Sequence, residues 1–392
     1  MIKEKIDQAI EILKEKNVDM WLTFLRESEA SHDPAIDLIL GTSVVWSSAF
    51  IITAQGKTFA IVGSLDKANI EMRNLYSEAI GYVGSIKEPL LETLRKIDPK
   101  NIAINYSKND VMADGLAHGM YLLLNEYLSD SPFADRLISS EKIIAALRGR
   151  KSPTELQRIK EACSITVDMF RKVSSSLKVG QTEAEIAAFL VNEVKKAGVE
   201  LAWTPEHCPA VFTGPETAGA HFGPTERKTE KGHIMNIDFG IKKNDFCSDL
   251  QRTWYFLKDG EKEAPAEVVK AFNAVRDAIQ KAADYLKPGV EGWKVDDIAR
   301  SHITSLGYEE YPHALGHQIG RKSHDGAGLL CPKWERYGNL PFEKVEESQV
   351  YTLEPRVTLK GYGTATIEEI VVVRRNGCEF LSHPQKELWL VR

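Results

Sequence analysis

The sequence predicts an α+β protein with two domains: a smaller mixed α/β domain in residues 1–143 and a larger α+β domain in residues 144–392. Three observations predict this arrangement. Helical and strand patterns alternate through the first region. A helix-start signature, Ser152-Pro153 with Glu155, opens the second region. A weak internal repeat inside that region suggests two similar α+β halves.

Composition indicates a folded globular protein and narrows the classes of partner. Of the 392 residues, 43% are hydrophobic and 27% are charged, and the formal net charge is −6. Because acidic and basic residues are spread along the chain without a basic stripe, nucleic acid is not an expected partner. No segment approaches the roughly 20 apolar residues of a membrane span, and the charged start lacks the apolar stretch of a signal peptide. We therefore expect no membrane partner.

Cysteine usage predicts a reducing compartment. The five cysteines are an odd number without a CxxC pair, which argues against both a disulfide framework and a structural zinc knuckle. We therefore expect a cytoplasmic protein whose cysteines act as small buried apolar residues.

Residues 1–143 carry the signals of a small sheet with helices. An amphipathic helix is predicted at 3–16, followed by a strand at VDMWLTFL and two short strands in AFIITAQGKTFAIVG. Further helices are predicted at about 65–76 and 111–128, with a strand at NIAINY between them. The region contains no nucleotide-binding fingerprint.

Residues 144–392 contain the internal repeat. The segment SSSLKVGQTEAEIAAFLVNEVKKAGVE parallels ADYLKPGVEGWKVDDIARSHITSLGYE. Each copy follows a long predicted helix, at about 153–176 and 265–286, and is followed by strands that end in a hairpin. Two similar halves around a shared centre are expected.

The first of these hairpins carries a pair of aspartates. In IMNIDFGIKKNDFCSDLQRTWYF, the turn-like KKND interrupts an apolar, alternating segment. A regular hairpin closed at Lys243-Asn244 places Asp238 directly opposite Asp249, with the two β-carbons roughly 5 Å apart.

The second hairpin carries a pair of glutamates. In YTLEPRVTLKGYGTATIEEIVVV, Glu354 and Glu368 are centred on Gly361. Either acidic pair alone is compatible with a solvated hairpin face, but these carboxylates stand among apolar strand residues. Four carboxylates meeting in one core require protons or cations to neutralise them. Bound metal is the simplest resolution.

A histidine-rich segment lies between the hairpins. The stretch YPHALGHQIGRKSHDGAG holds His313, His317 and His324, and His221 in GAHFGP is a fourth candidate. A lone histidine is more often a surface or core residue, but three beside two carboxylate pairs indicate a metal ligand together with acid/base or oxyanion-binding groups.

The ordered set of an Asp, a second Asp eleven residues on, a GH.IG histidine, a T.EP glutamate and an IE glutamate resembles the pita-bread metallopeptidases, peptidase family M24. The family includes methionine aminopeptidases, aminopeptidase P and prolidase, and the similarity covers about residues 145–375. The resemblance implies a pita-bread catalytic domain in 144–392. Residues 1–143 resemble the N-terminal domain of the creatinase, prolidase and aminopeptidase P branch, which methionine aminopeptidases lack.

The resemblance also implies a site with two divalent ions. Asp238 corresponds to the bidentate ligand of one ion, and Asp249 and Glu368 correspond to bridging ligands. His317 and Glu354 correspond to ligands of the second ion. Manganese or cobalt is the family expectation, and the ligand types also suit zinc or iron.

The catalytic groups implied by the resemblance are Glu354, His221, His313 and His324. Glu354 would move the proton, and His324 or His221 would stabilise the oxyanion. One position departs from the family pattern, because the arginine that usually stands two residues before the IE glutamate is replaced by Thr366. Loss of a group that supports a metal ligand can reduce affinity or activity about 10–100-fold.

The implied function is hydrolysis of the peptide bond preceding proline, as in an Xaa-Pro dipeptidase or an Xaa-Pro aminopeptidase. The expected partner is a small peptide with proline at its second position, and a homodimer is expected because the branch often closes its pocket with a neighbouring subunit. Two alternatives stay open. One is another C–N hydrolase on the same scaffold, resembling creatinase or ectoine hydrolase, and the other is a metal-free binding module.

Overall fold

The computed structural model describes residues 1–215 and 222–392. The chain divides into two compact units, Met1–Arg148 and Gly149–Arg392. The boundary predicted from the sequence, between residues 143 and 144, falls inside the helix Glu141–Gly149.

The first unit is a six-stranded sheet with helices. Its elements are α1 (Ile2–Glu15), β1 (Met20–Leu25), α2 (Ile36–Ile39), β2 (Ser48–Thr53), β3 (Thr58–Gly63), α3 (Ser64–Arg73), β4 (Glu78–Tyr82), α4 (Lys87–Ile97), β5 (Ile102–Ile104), α5 (His118–Leu128), β6 (Leu137–Ser139) and α6 (Glu141–Gly149). The helix predicted over 111–128 begins only at His118. The Asp110 carboxylate accepts the N–H of Met112 and holds the preceding residues in a turn instead.

The strands of this sheet run in the order β4-β3-β2-β1-β5-β6. The β1–β2 and β2–β3 pairs are antiparallel, and the other three are parallel. Alternate residues of β1 enter different apolar clusters: Trp21 packs with α1, α2 and α6, whereas Leu22 packs with α4 and α5. Because both faces of the sheet are covered, the central strands β1 and β2 are buried along their whole length and are mainly apolar.

The second unit has more and shorter strands. Its elements are α7 (Pro153–Ser176), α8 (Glu183–Ala197), β7 (Glu200–Leu201), β8 (Ala210–Thr213), β9 (Ile234–Phe239), β10 (Ile241–Lys243), β11 (Phe246–Cys247), β12 (Leu250–Phe256), α9 (Ala266–Tyr285), α10 (Gly292–Ser305), β13 (Gly316–His317), β14 (Leu329–Leu330), β15 (Val350–Leu353), β16 (Arg356–Leu359), β17 (Gly363–Thr366), β18 (Glu369–Arg374), β19 (Gly377–Phe380) and β20 (Trp389–Val391).

Each predicted half of this unit contains a helix pair packed on strands. Helices α7 and α8 pack on β8 and on β10 to β12, and helices α9 and α10 pack on β14, β16, β17 and β19. The predicted start of α7 is confirmed, because Ser152 Oγ accepts the N–H of Glu155 while the Glu155 carboxylate accepts the N–H of Ser152. The central sheet, in the order β20-β12-β9-β8, carries the first acidic hairpin.

The five cysteines all have free thiols, as predicted, and four of them are buried. None of the helices in the described ranges has an apolar stretch of the length that crossing a membrane requires.

Candidate metal centre

The first acidic hairpin differs in register from the prediction. Strand β9 pairs with β12 so that Gln251, rather than Asp249, lies opposite Asp238. The turn closes at Asn244-Asp245, where φ is 49° and 69°. Two central residues with positive φ form the kind of turn that matches the twist of a hairpin, and Asn and Asp adopt positive φ more readily than lysine does. The predicted direct pairing of the two aspartates is therefore wrong.

The two aspartates nevertheless share one face of the hairpin. Moving the turn by one residue shifts every cross-strand partner by two positions, and side chains alternate along a strand with a period of two. Asp249 therefore lies diagonal to Asp238, and the two carboxyl groups are close enough to influence each other's pKa.

The second acidic hairpin has the predicted register. Strands β15 and β18, and then β16 and β17, pair about a common centre at Gly361. Glu354 and Glu368 lie at matching positions between these two ladders. The Glu368 N–H donates to the carbonyl of Gln251, and the Glu354 N–H donates to the carbonyl of Leu315. These bonds attach the second hairpin to the first hairpin and to the histidine-rich segment.

The five residues predicted as metal ligands come together here. Asp249, His317 and Glu368 each offer one ligand atom, and these atoms all lie within 4.8 Å of one another. His317 Nε2 lies 3.9 Å from Asp249 Oδ2 and 3.6 Å from Glu354 Oε1. Asp238 joins the group through its direct interaction with Asp249. These separations approach those between neighbouring ligands of one divalent ion.

The carboxylates of this cluster are costly to bury as anions. Burial, the largest cause, raises the pKa of Asp238 to about 7 and that of Glu354 to about 8. Burial also raises the pKa values of Asp249 and Glu368 well above the ordinary carboxyl range, and the neighbouring carboxylates raise them further. The cluster therefore favours positive charge in its centre.

Unpaired buried oxygens provide an independent test of the fit to a metal ion. Asp238 Oδ1 and Glu368 Oε1 are buried, and neither finds a hydrogen-bond partner within the described ranges. Buried carboxylate oxygens are normally hydrogen-bonded or bound to a cation. The donor set of four carboxylates and one imidazole thus fits divalent metal.

His317 is oriented as a ligand. Its Nδ1 lies 3.2 Å from the carbonyl oxygen of Gln318. Because a carbonyl oxygen only accepts, Nδ1 carries the proton and Nε2 presents a lone pair to the carboxylates. Burial, followed by the neighbouring His324, lowers the pKa of His317 to about 3. The neutral Nε2 and the carboxylate oxygens all present lone pairs, and a cation between them would be bound by both.

The other predicted histidines occupy different environments. The His324 ring packs edge-on against that of His317, with 4.1 Å between ring centroids. His313 Nδ1 lies 2.8 Å from the carbonyl oxygen of Ala314, and burial lowers the pKa of His313 to about 4. His221 lies outside the described residues.

The sequence and the site match a known family. A family model described as metallopeptidase family M24 matches residues 157–375. The chain belongs to metallopeptidase family M24. Peptidases of this class act with divalent metal ions, so the carboxylate and histidine cluster has the composition that the family requires.

Relatives of this M24 peptidase align over most of their length. An Xaa-Pro dipeptidase from Pyrococcus horikoshii is 24% identical over 391 residues, which is 99% of each chain. An uncharacterized peptidase from Staphylococcus haemolyticus is 27% identical over 340 residues, covering 86% of this chain and 88% of its own.

Solved structures show the same fold. An Xaa-Pro dipeptidase from Bacillus anthracis superposes with a TM-score of 0.75 at 22% identity over 100% of both chains. An X-Pro aminopeptidase from Thermotoga maritima superposes with a TM-score of 0.71 at 24% identity, over 98% of this chain and 99% of its own. The predicted pita-bread fold is thereby confirmed, and this M24 protein is a metallopeptidase.

Gln251 is a site residue of this metallopeptidase that the sequence reasoning missed. Its side-chain Nε2 donates to Glu368 Oε2 at 3.0 Å, and the Thr366 hydroxyl donates to Gln251 Oε1 at 2.7 Å. Thr366, which replaces the family arginine, therefore acts on Glu368 through the amide of Gln251. Side chains alternate between the two faces of strand β12, so Gln251, two residues after Asp249, lies on the same face. This alternation is the sequence signal that could have identified Gln251.

We expect the Gln251→Leu substitution to weaken metal binding about 10–100-fold, because Glu368 loses the donor that orients its carboxylate. Competition with a chromophoric chelator measures the change. Gln280→Leu is the matched control, since Gln280 is exposed and its side-chain amide donates to Asp284 on helix α9, away from the cluster. Equal metal affinity in the two variants would remove Gln251 from the site.

A buried ion pair lies next to the ligands. Arg252 and Glu369 are each 1% exposed, and Arg252 Nη1 lies 3.0 Å from Glu369 Oε1. The same Nη1 donates to the carbonyls of Gln251 at 2.8 Å and Glu368 at 3.0 Å. Arg252 thus holds the backbone beside two side chains of the metal cluster, although its own side chain points to the opposite face of β12.

Proposed function

We propose that this metallopeptidase hydrolyses the peptide bond preceding proline, in an Xaa-Pro dipeptide or at the start of a longer Xaa-Pro peptide, using two divalent ions. The observation that carries the proposal is the cluster of four carboxylates, two buried and two partly buried, beside a neutral His317 Nε2. Similarity to an Xaa-Pro dipeptidase over 99% of each chain supports the choice of substrate.

In this proposal the ions are held by five side chains. Asp238, Asp249, His317, Glu354 and Glu368 would together hold the two ions. Manganese or cobalt is the proposed metal, and zinc and iron have the same ligand preferences. The ions would supply Lewis acidity that activates water and polarises the peptide carbonyl.

The chain's own groups would handle protons and orientation. Glu354, whose Oε1 lies 3.6 Å from His317 Nε2, would accept a proton from water and return it to the leaving nitrogen. His324, in ring contact with His317, is placed to donate a hydrogen bond to the developing oxyanion. We assign the same role to His221.

His313 has a different proposed role. Its Nδ1 proton is directed to the carbonyl of Ala314, and its lowered pKa keeps the ring neutral near pH 7. The exposed lone pair of Nε2 therefore accepts a hydrogen bond, and we assign it to a substrate N–H or ammonium group.

The test combines metal analysis with two substrates. We expect about two ions per chain by mass spectrometry after manganese loading, with release of proline from Ala-Pro or of alanine from Ala-Pro-Ala. Cleavage of the dipeptide alone indicates a dipeptidase, and cleavage of the tripeptide alone indicates an aminopeptidase. Metal without either activity would favour another C–N substrate, whereas a chain that binds no metal would contradict the proposal.

We also propose a homodimer and a cytoplasmic location. Both follow from the family resemblance and from the cysteine usage described above. Analytical ultracentrifugation of the purified chain tests the first, and a mass near twice 43.9 kDa is the expected result.

A further inference from the structure

The segment that carries His313 lies outside the helices and strands of the second unit. It connects helix α10 to strand β13, and residues 306–315 belong to neither element. Backbone groups of such a segment are not paired in a regular ladder, so their hydrogen bonds must come from other parts of the chain. These bonds decide how firmly the ring of His313 is held.

Arg300, on helix α10, donates to two carbonyls of this segment. Its Nη1 lies 2.7 Å from the carbonyl oxygen of Tyr311, and its Nη2 lies 2.8 Å from that of His313. Asp296, one turn earlier on α10, accepts from Nε at 2.7 Å and from Nη2 at 2.8 Å. Both side chains are buried. Because a guanidinium group is planar, the carboxylate fixes the direction in which the remaining N–H groups point.

The same carboxylate holds the far end of the segment. Asp296 Oδ1 accepts the N–H of Leu315 at 3.0 Å, and the carbonyl of Leu315 accepts the N–H of Glu354 at 2.8 Å. His313 therefore lies between two backbone positions, Tyr311 and Leu315, that one buried ion pair holds. This arrangement leaves the backbone of His313 little freedom.

The ring of Tyr311 depends on the same arginine. The guanidinium carbon of Arg300 lies 4.0 Å from the centroid of the Tyr311 ring, and the rings of Tyr311 and His313 are 5.1 Å apart. Tyr311 is 2% exposed, and its hydroxyl group finds no hydrogen-bond partner within the described ranges. Contact with the cation, rather than a hydrogen bond of the hydroxyl group, therefore holds this ring against the imidazole of His313.

A second arginine contacts the segment from the chain that follows strand β14. Arg336 Nη2 donates to the carbonyl of Pro312 at 2.6 Å. The guanidinium carbons of Arg336 and Arg300 lie 4.6 Å and 5.0 Å from the centroid of the Trp334 ring. The carbonyls of three successive residues, 311–313, thus each accept an N–H from an arginine.

We propose that Arg300 is a positioning residue: by fixing the backbone of residues 311–313, it directs the ring of His313 toward the substrate. The inference rests on the proposed function, which assigns His313 to a substrate N–H or ammonium group. The hydrogen bonds of Arg300 go to Asp296, to Glu310 and to two carbonyls of the segment, rather than to the proposed metal ligands. Its replacement should therefore impair substrate binding and leave metal binding intact.

The first test is Arg300→Lys, which keeps a positive charge beside Asp296 but lacks the planar fork. We expect kcat/KM of the manganese-loaded enzyme for its best Xaa-Pro substrate to fall roughly 10–100-fold, mainly through KM, with unchanged affinity for Mn²⁺. Arg276→Lys is the matched control, because Arg276 also donates to a carbonyl, that of Lys386, and pairs with Asp277. An unchanged kcat/KM, or a parallel loss of metal affinity, would overturn the proposal.

A double variant removes the ion pair without leaving a buried charge. Arg300→Met combined with Asp296→Leu replaces both ions by apolar side chains, which is often neutral for stability. At saturating Mn²⁺ we expect KM to rise at least as much as in Arg300→Lys, and thermal unfolding checks that the variant is folded. Arg336→Met, which removes only the bond to Pro312 from an exposed side chain, should raise KM less. A folded double variant with the KM of the wild type would contradict the proposal.

A spectroscopic measurement separates failure of this inference from failure of the proposed function. Long-range proton–nitrogen correlation spectra of zinc-loaded protein with isotope-labelled histidines report which ring nitrogen of His313 carries the proton, and His313→Gln assigns the signal. We expect a protonated Nδ1 in the wild type and a changed His313 signal in Arg300→Lys, whether or not an Xaa-Pro peptide is hydrolysed. Identical His313 signals in the two proteins would refute the inference even if hydrolysis confirms the proposed function.

Discussion

Glu368→Gln should abolish peptidase activity while leaving the metal-free protein at least as stable as the wild type. Glu368 is 1% exposed, and its Oε1 finds no hydrogen-bond partner within the described ranges. An amide binds a divalent cation far less well than a carboxylate does, so activity should fall by more than the roughly 100-fold seen when a supporting residue is lost. The new amide can donate to a neighbouring carboxyl group, and it replaces a carboxyl group whose ionisation is opposed by burial and by the neighbouring carboxylates. The free energy of unfolding without metal should rise by about 1–3 kcal/mol.

The measurements are kcat/KM for the best Xaa-Pro substrate, metal content, and urea denaturation of the metal-free protein. We expect activity to fall while the free energy of unfolding rises. This combination would identify Glu368 as a residue that serves function at the expense of stability. A metal-free Glu368→Gln protein that is less stable than the wild type would instead indicate that Glu368 has a structural task, such as holding Gln251 in place.

The sequence was sufficient to predict that the five proposed ligands come together, because their positions follow from residue type, order and face. The centre of the second hairpin could be placed because Gly361, with a φ of 83°, marks its turn. The turn segment KKND offers two possible pairs of central residues. The predicted pair, Lys243-Asn244, is wrong, because the turn closes at Asn244-Asp245. The error preserved the predicted face, since a shift of two residues leaves the side-chain alternation unchanged.

Contacts between segments far apart in sequence could not be predicted in the same way. The bond from Gln251 to Glu368 joins residues 117 positions apart, and the one from Thr366 to Gln251 spans 115. They depend on how the two hairpins meet, which neither hairpin encodes alone.

Glu369→Gln, one residue from the metal ligand, should have the opposite effect to Glu368→Gln. Glu369 faces away from the cluster and accepts hydrogen bonds from Arg252, from the Ser382 hydroxyl and from the Gln385 N–H. Neutralising it leaves the buried charge of Arg252 with carbonyl acceptors only. Removing one partner of a buried ion pair costs about 3–5 kcal/mol of unfolding free energy. Metal binding should persist at temperatures at which the variant remains folded.

The double variant Arg252→Met with Glu369→Met separates the loss of a charge partner from the loss of the pair itself. Because both ions must be desolvated to form the pair, its replacement by apolar side chains of similar size is often neutral or stabilising. We therefore expect the double variant to recover much of the stability lost in Glu369→Gln, although the carbonyls of Gln251 and Glu368 lose a donor. A double variant as unstable as the single one would show that these carbonyl bonds, rather than charge pairing, are what Arg252 contributes. In that case metal affinity should fall as well, since the same bonds hold the backbone of the site.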